Sequence, residues 1–203
     1  MNIKNHILND LNSFSLVKSP NVGGFFQTGL PDTIVLHYTA GPSAQSAIKT
    51  LTSPSESVSA HIVVDRKGKI TQLVPFNRIA WHAGRSRFRN RTGLNTYSIG
   101  IEIVNAGRLK KQDSDFISWF GKKYPIEEVV EATHKNEQKP SYWHRFTLDQ
   151  LNSVYKLCLL LADNYSIRYI MGHDEIAPGR KIDPGPAFPL EEIRNQVLFN
   201  SAQ

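Results

Sequence analysis

Short apolar runs rich in β-branched residues, interleaved with segments of helical period, constrain this chain more than any other feature. Thr33-Ile-Val-Leu-His37 reads as a buried strand. Ser43 to Leu51 follows, with Ala44, Ala47, Ile48 and Leu51 at the spacing of one helical face. Ala60–Asp65 and Lys69–Val74 read as two strands joined by a tight turn at Asp65-Arg-Lys-Gly68. Ser98–Val104 is a further strand, in which Gly100 permits close approach of another group. Thr147-Leu-Asp-Gln150 fits a capping box that opens a helix to about Asn164, with Leu148, Leu151, Val154, Leu157 and Leu161 as its apolar stripe. Ile167–Met171 reads as a short strand and Leu190–Phe199 as a closing helix behind Pro189. A helix is also expected over Ile3–Phe14, in a lead-in of residues 1–29. Alternating strands and helices predict an α/β fold: one domain over residues 30–199, its central mixed sheet flanked by helices.

Arg108–Arg145 breaks this rhythm. It is dense in charge yet carries Phe116, Trp119, Phe120, Tyr124, Tyr142 and Trp143, too aromatic for a disordered linker. It reads as an insertion with local structure that lies over the domain and forms a wall or lid.

Composition removes several classes. The chain has 203 residues, 40% hydrophobic and 21% charged, which is the balance of a globular domain. Its longest apolar stretch, Leu157–Ala162, falls far short of the ~18–20 residues a spanning helix needs. Met1–Asp10 lacks a basic region followed by an apolar one, so no secretory signal is expected. Cys158 is the single cysteine and reads as buried filler. The net charge of +6 is concentrated: Arg66 to Ile101 holds eight basic residues and no acidic one. Such a patch suits a solvated face, nucleic acid, an anionic surface or a carboxylate-bearing small substrate. Arg85, Arg87, Arg89 and Arg91 read mainly as an exposed edge, and His6, His134 and His144 as surface residues.

Five residues stand out chemically. His37 and His173 each end an apolar strand, beside loops rich in glycine and proline. Asp183 precedes Pro184, and Lys181 lies two residues earlier, so in extended chain both point the same way. Two neutral imidazoles and a carboxylate make a catalytic zinc set. Glu102, flanked by Ile101 and Ile103, costs several kcal/mol if buried and unpaired, so it should face a partner or a polar cleft. A general base beside a zinc site would have that reason to be there.

Five segments in order carry a resemblance: Thr33–Ala40, Ser59–Gly68, Ala80–Gly84, Ser98–Glu102 and Gly172–Phe188. Together they resemble the successive motifs of zinc-dependent N-acetylmuramoyl-L-alanine amidases, in the AmpD-like branch of the amidase_2 and peptidoglycan-recognition-protein superfamily. The resemblance implies His37, His173 and Asp183 as zinc ligands, Glu102 as the residue that activates water, and Lys181 as the oxyanion stabiliser. It implies Trp81 and His82, with His61 and Asn95 nearby, as groove residues, although His61 could simply pack in its strand. An aspartate at position 183, where recognition proteins carry cysteine, groups the chain with the AmpD-like branch.

The activity implied is hydrolysis of the amide between N-acetylmuramic acid and L-alanine, in peptidoglycan or its muropeptide fragments. A non-catalytic peptidoglycan-binding module on the same fold is the alternative. Zn2+ is the cofactor implied and peptidoglycan or a muropeptide the partner; neither nucleic acid nor membrane is expected as one. A cytoplasmic recycling enzyme fits, as does a phage lysin or an effector reaching the wall by a non-Sec route.

Overall fold

The strands predicted around His37 and Glu102 form, and they form side by side. A computed structural model describes residues 1–9 and 14–200. In chain order the elements are β1 (Asn2–Lys4), β2 (Ile7–Asn9), β3 (Phe14–Leu16), β4 (Thr33–Tyr38), α1 (Ala44–Leu51), β5 (Ile62–Val64) and β6 (Ile70–Gln72). Then come β7 (Arg87–Phe88), β8 (Arg91–Thr92), β9 (Ser98–Ile103), β10 (Arg108–Gln112), β11 (Asp115–Ile117), β12 (Lys123–Tyr124), β13 (Val129–Thr133) and β14 (Pro140–His144). The last are α2 (Leu148–Asn164), β15 (Tyr169–Gly172), α3 (His173–Ile176) and α4 (Leu190–Asn200).

The central sheet is mixed, in the order β15-β4-β9-β5-β6-β3. β15, β4, β9 and β5 run parallel, and β6 is antiparallel to β5 across the predicted turn. Side chains alternate across a strand, and here the alternation separates core from chemistry. Ile34, Leu36, Ile62, Val64, Ile99, Ile101 and Ile103 pack with Val154, Leu157, Cys158 and Leu161 of α2 and Ile193 and Val197 of α4. Ala47 and Leu51 of α1 pack with Val63 in a separate cluster. His37, His61, Gly100 and Glu102 belong to the strand positions facing that α1 side.

Two expectations are corrected. Ile3–Phe14 is not a helix: β1 and β2 pair antiparallel, β3 joins the central sheet beside β6, and residues 10–13 lie outside the described residues. Asn5 and His6 take φ of 51° and 63°, and two left-handed residues are what a type I′ hairpin turn demands. Leu148 is 77% exposed; as the first residue of α2 it stands clear of the stripe that the other four predicted residues form against the sheet.

The segment between β9 and α2 has its own architecture, an antiparallel sheet in the order β12-β11-β10-β14-β13. It has its own small core of Ala106, Leu109, Phe116, Tyr124 and Val129. His134 and His144, expected on the surface, are buried beneath it, at 0% and 5% exposure. His144 accepts from the Ala106 N–H at 3.1 Å, and His134 stacks on Trp143. Both are interior polar groups with partners, as burial requires. Of the arginines read as an edge, Arg85, Arg87 and Arg89 are exposed, whereas Arg91 pairs with the buried Asp32 at 2.8 Å.

Candidate active site

Parallel strands deliver their carboxyl ends to one edge of a sheet, where α/β folds place their ligands. In β4 and β9, His37 is paired in register with Glu102, and Leu36 of β4 is paired with Gly172 of β15. His173 therefore emerges beside His37, and Glu102 flanks it on the other side. The loop after α3 returns to this edge, held by the Asp174 N–H donating to the Asp183 carbonyl at 2.8 Å. The predicted grouping of His37, His173 and Asp183 is thus assembled, and all three are buried.

Hydrogen bonds behind the two imidazoles fix which nitrogen faces inward. Nε2–H of His173 donates to the Ala83 carbonyl at 3.1 Å. Nε2–H of His82 donates to the Ser98 carbonyl at 3.3 Å, which leaves its Nδ1 to accept from Nε2–H of His37 at 3.0 Å. Burial drives His37 down to about 4 and holds His82 well below the ordinary histidine range, so both are neutral near pH 7. Nδ1 of each ligand ring then points to the centre. These two nitrogens lie 2.9 Å apart, and Oδ2 of Asp183 lies 2.9 and 3.0 Å from them.

Three converging acceptors this close require a proton or a cation between them. A proton is a poor occupant, since burial opposes the charged imidazole of His37. Burial pushes the Asp183 carboxyl up, yet its setting between His173 and His37 holds it well below the usual range. Two neutral imidazoles and an ionised carboxylate are the donor set of a catalytic zinc site. The edges of 2.9–3.0 Å fall just inside the ~3.3 Å edge of a tetrahedron with ~2.0–2.1 Å ligand bonds. The residues fit the metal.

This centre sits in the wall of a cleft of about 630 Å3. Glu102, Lys181, Trp81 and His82 line it. Oε2 of Glu102 is buried and has no hydrogen-bond partner among the described residues. Burial, and then the Asp183 charge, raise its carboxyl well above the ordinary range, while the Lys181 charge pulls the other way.

His61 and Asn95 stand behind the cleft rather than in it. His61 is wholly buried: its Nε2–H donates to the Arg78 carbonyl at 2.9 Å and its Nδ1 accepts from the Gly100 N–H at 3.0 Å. Oδ1 of Asn95 accepts from the N–H groups of His82 and Ala83 at 3.0 and 2.7 Å. It thereby holds the loop that carries His82 and the carbonyl bonded by His173.

The expected wall is present. Trp119 and Phe120, on the turn between β11 and β12, line the cleft together with Trp81. The sequence marked both among the aromatics of their segment, but it did not mark Asp174, whose carboxylate accepts from His134.

Comparison with known proteins agrees with this geometry. The sequence pattern of the N-acetylmuramoyl-L-alanine amidase family matches residues 27–186. The chain is 34% identical over 174 residues to the amidase AmiD of Escherichia coli (strain K12), covering 81% of this chain and 52% of that protein. It is 32% identical over 148 residues to the 1,6-anhydro-N-acetylmuramyl-L-alanine amidase AmpD of Salmonella typhimurium (strain SL1344), covering 71% and 59%. A solved structure of a selenomethionine AmpD derivative superposes with a TM-score of 0.70 at 25% identity, over 97% of this chain and 99% of that one. AmiD solved with anhydro-N-acetylmuramic acid-L-Ala-D-gamma-Glu-L-Lys gives 0.59 at 32% identity, over 86% and 57%.

The fold is that of the AmpD-like amidases, and three of its buried side chains are grouped as a metal ion would need. The chain belongs to the N-acetylmuramoyl-L-alanine amidase family. It spans between about half and three-fifths of the length of these two curated relatives. Among the described residues, no helix is long and apolar enough to cross a membrane.

Proposed function

We propose that the cleft hydrolyses the amide joining the lactyl group of N-acetylmuramic acid to the L-alanine of a peptidoglycan stem peptide, with zinc held by His37, His173 and Asp183. The convergence of three acceptor atoms within 3.0 Å carries this reading. Zinc bound there would supply a Lewis acid for the scissile carbonyl and would acidify a water.

The chain's own residues supply the rest. Glu102 takes a proton from the attacking water and passes it to the departing alanine amine, so proton and leaving group balance. Lys181 lies in the same cleft and offers its ammonium to the carbonyl oxygen as charge develops. Trp81 presents its ring to the sugar or to the lactyl-peptide junction. His82 holds His37 in the ligating tautomer, a role that tunes metal sites from outside. A pure binding module has no use for a buried carboxylate without a partner, which favours hydrolysis over binding.

The decisive experiment incubates zinc-loaded protein with muropeptides and weighs the products. The expected result is free stem peptide plus the peptide-free muramic acid species. Recovery of intact muropeptide by a protein holding one zinc would overturn the reading. Lys181→Met should lower the rate per bound zinc by ~10²–10³. An undiminished rate would leave Lys181 only the task of neutralising Asp183.

A further inference from the structure

The inserted sheet does more than wall the cleft. On the far side of Trp119 lies a second cavity of about 550 Å3, between β10 and the end of β4. Tyr38, Ala40, Trp119 and Ile182 line both cavities, so the two adjoin along these residues. Trp119 is 76% exposed, yet its place is fixed: its Nε1–H donates to the Ala40 carbonyl at 2.7 Å. Its ring also meets Phe120 edge-on at 5.6 Å. Fixed there, the indole offers a flat apolar face to an occupant of either cavity.

The charge of the second cavity is one-sided. Its lining includes Arg108 and Lys110 and no carboxylate. Arg108 is committed, donating to both carboxylate oxygens of Glu137 at 2.6 Å and lying over the Trp143 ring. Lys110 is exposed, on the same face of β10 as Arg108, and makes no ion pair among the described residues. Apolar atoms of Tyr38, Ala40 and Ile182 complete its lining.

We propose that this groove is a second substrate subsite, which takes the distal part of an extended peptide whose free carboxylate meets Lys110. Continuity with the cleft through four shared residues makes the occupant the remainder of the molecule seated there. The absence of any lining carboxylate makes that remainder anionic. The proposal rests on the amidase reading of the cleft and deepens it by naming stem length and charge as what the inserted sheet selects.

The test compares kcat/KM for N-acetylmuramoyl pentapeptide with that for N-acetylmuramoyl dipeptide. Lys110→Met should cut the preference for the longer stem by about two- to fivefold, the range of an exposed ion pair. Lys110→Glu should cut it further, Lys110→Arg should keep it, and added salt should erode it in the parent protein. Trp119→Ala should cut it by about tenfold. A loss specific to the longer stem in the Lys110 variants supports the subsite. An unchanged preference in Lys110→Glu overturns it, as does a Lys110 effect confined to peptide-free glycan oligomers. If the parent protein cleaves neither substrate, the amidase reading fails by itself. Equilibrium dialysis of labelled pentapeptide then reads the groove directly: weaker binding by Lys110→Glu supports the subsite, and equal binding overturns it.

Discussion

Nε2–H of His134, in the segment between β9 and α2, donates to Oδ2 of Asp174 at 3.0 Å, one residue beyond His173. Both groups are almost fully buried, and the Asp174 N–H in turn bonds the carbonyl of Asp183. One side chain of the inserted sheet therefore leans on the backbone that carries two of the three proposed ligands.

His134→Ala would leave the Asp174 carboxylate buried without its donor, at a cost of about 1–3 kcal/mol in stability. Zinc affinity should fall by ~10–100-fold, the usual effect of losing a group that orients ligands. Denaturant unfolding and chelator competition measure the two, and His134→Gln, which restores an N–H donor, should recover part of both. Unaltered zinc affinity in a destabilised His134→Ala would show the contact to be purely architectural.

Glu102→Gln should abolish most turnover, by ~10²–10⁴, while stabilising the metal-free protein. The folded carboxyl titrates above its ordinary value of 4.5, chiefly through burial. Its contribution to stability is complete below that value and is lost as pH rises through the folded pKa. The two proteins should melt together below about pH 4 and diverge above it, with the variant more stable at neutral pH. Thermal melts over a pH series would show a parallel offset if the carboxyl did not titrate.

Asp32→Asn has the opposite sign. Burial raises this carboxyl, but hydrogen bonds from Arg91 and Thr33 and the charges of Arg91 and Arg168 outweigh it and hold it below 3.8. Its stabilisation is full above that ordinary value and is lost as pH falls through the folded pKa. Parent and variant should differ most near neutrality and converge in acid. A gap that stays constant down to acid unfolding would mean the arginines contribute only packing.

Gly100→Ala tests how the sheet makes room for the site. A methyl there would lie 2.6 Å from Nδ1 of His82, the atom that accepts from His37. His82 must move, so the variant should lose about 1–3 kcal/mol of stability and its turnover should fall. Normal turnover would show that the His37 ring is held without His82.

Much of this was legible in the chain because local chemistry dictates it. The β-branched run at Thr33–His37, the turn at Asp65–Gly68 and the capping box at Thr147 specify their elements through short-range sterics and hydrogen bonding, and each formed close to its predicted bounds. The spacing of Lys181 and Asp183 and the isolated carboxylate of Glu102 marked the cleft, because such groups are costly without a purpose. The N-terminal segment misled, since its Ile and Leu spacing suits a helix as well as a hairpin. Asn5 and His6 decided for the hairpin by turning left-handed.

The sequence by itself determined the strands, the helices and the kinds of residue a metal site needs, because these follow from neighbours along the chain. Only the tertiary structure decided that His37 pairs in register with Glu102, that His61 and Asn95 stand behind the cleft, and that His134 lies buried against Asp174. Those relations join residues up to 65 positions apart, only where parallel strands stack and a second sheet docks. Register, packing and burial belong to the folded surface as a whole, and no local pattern encodes them.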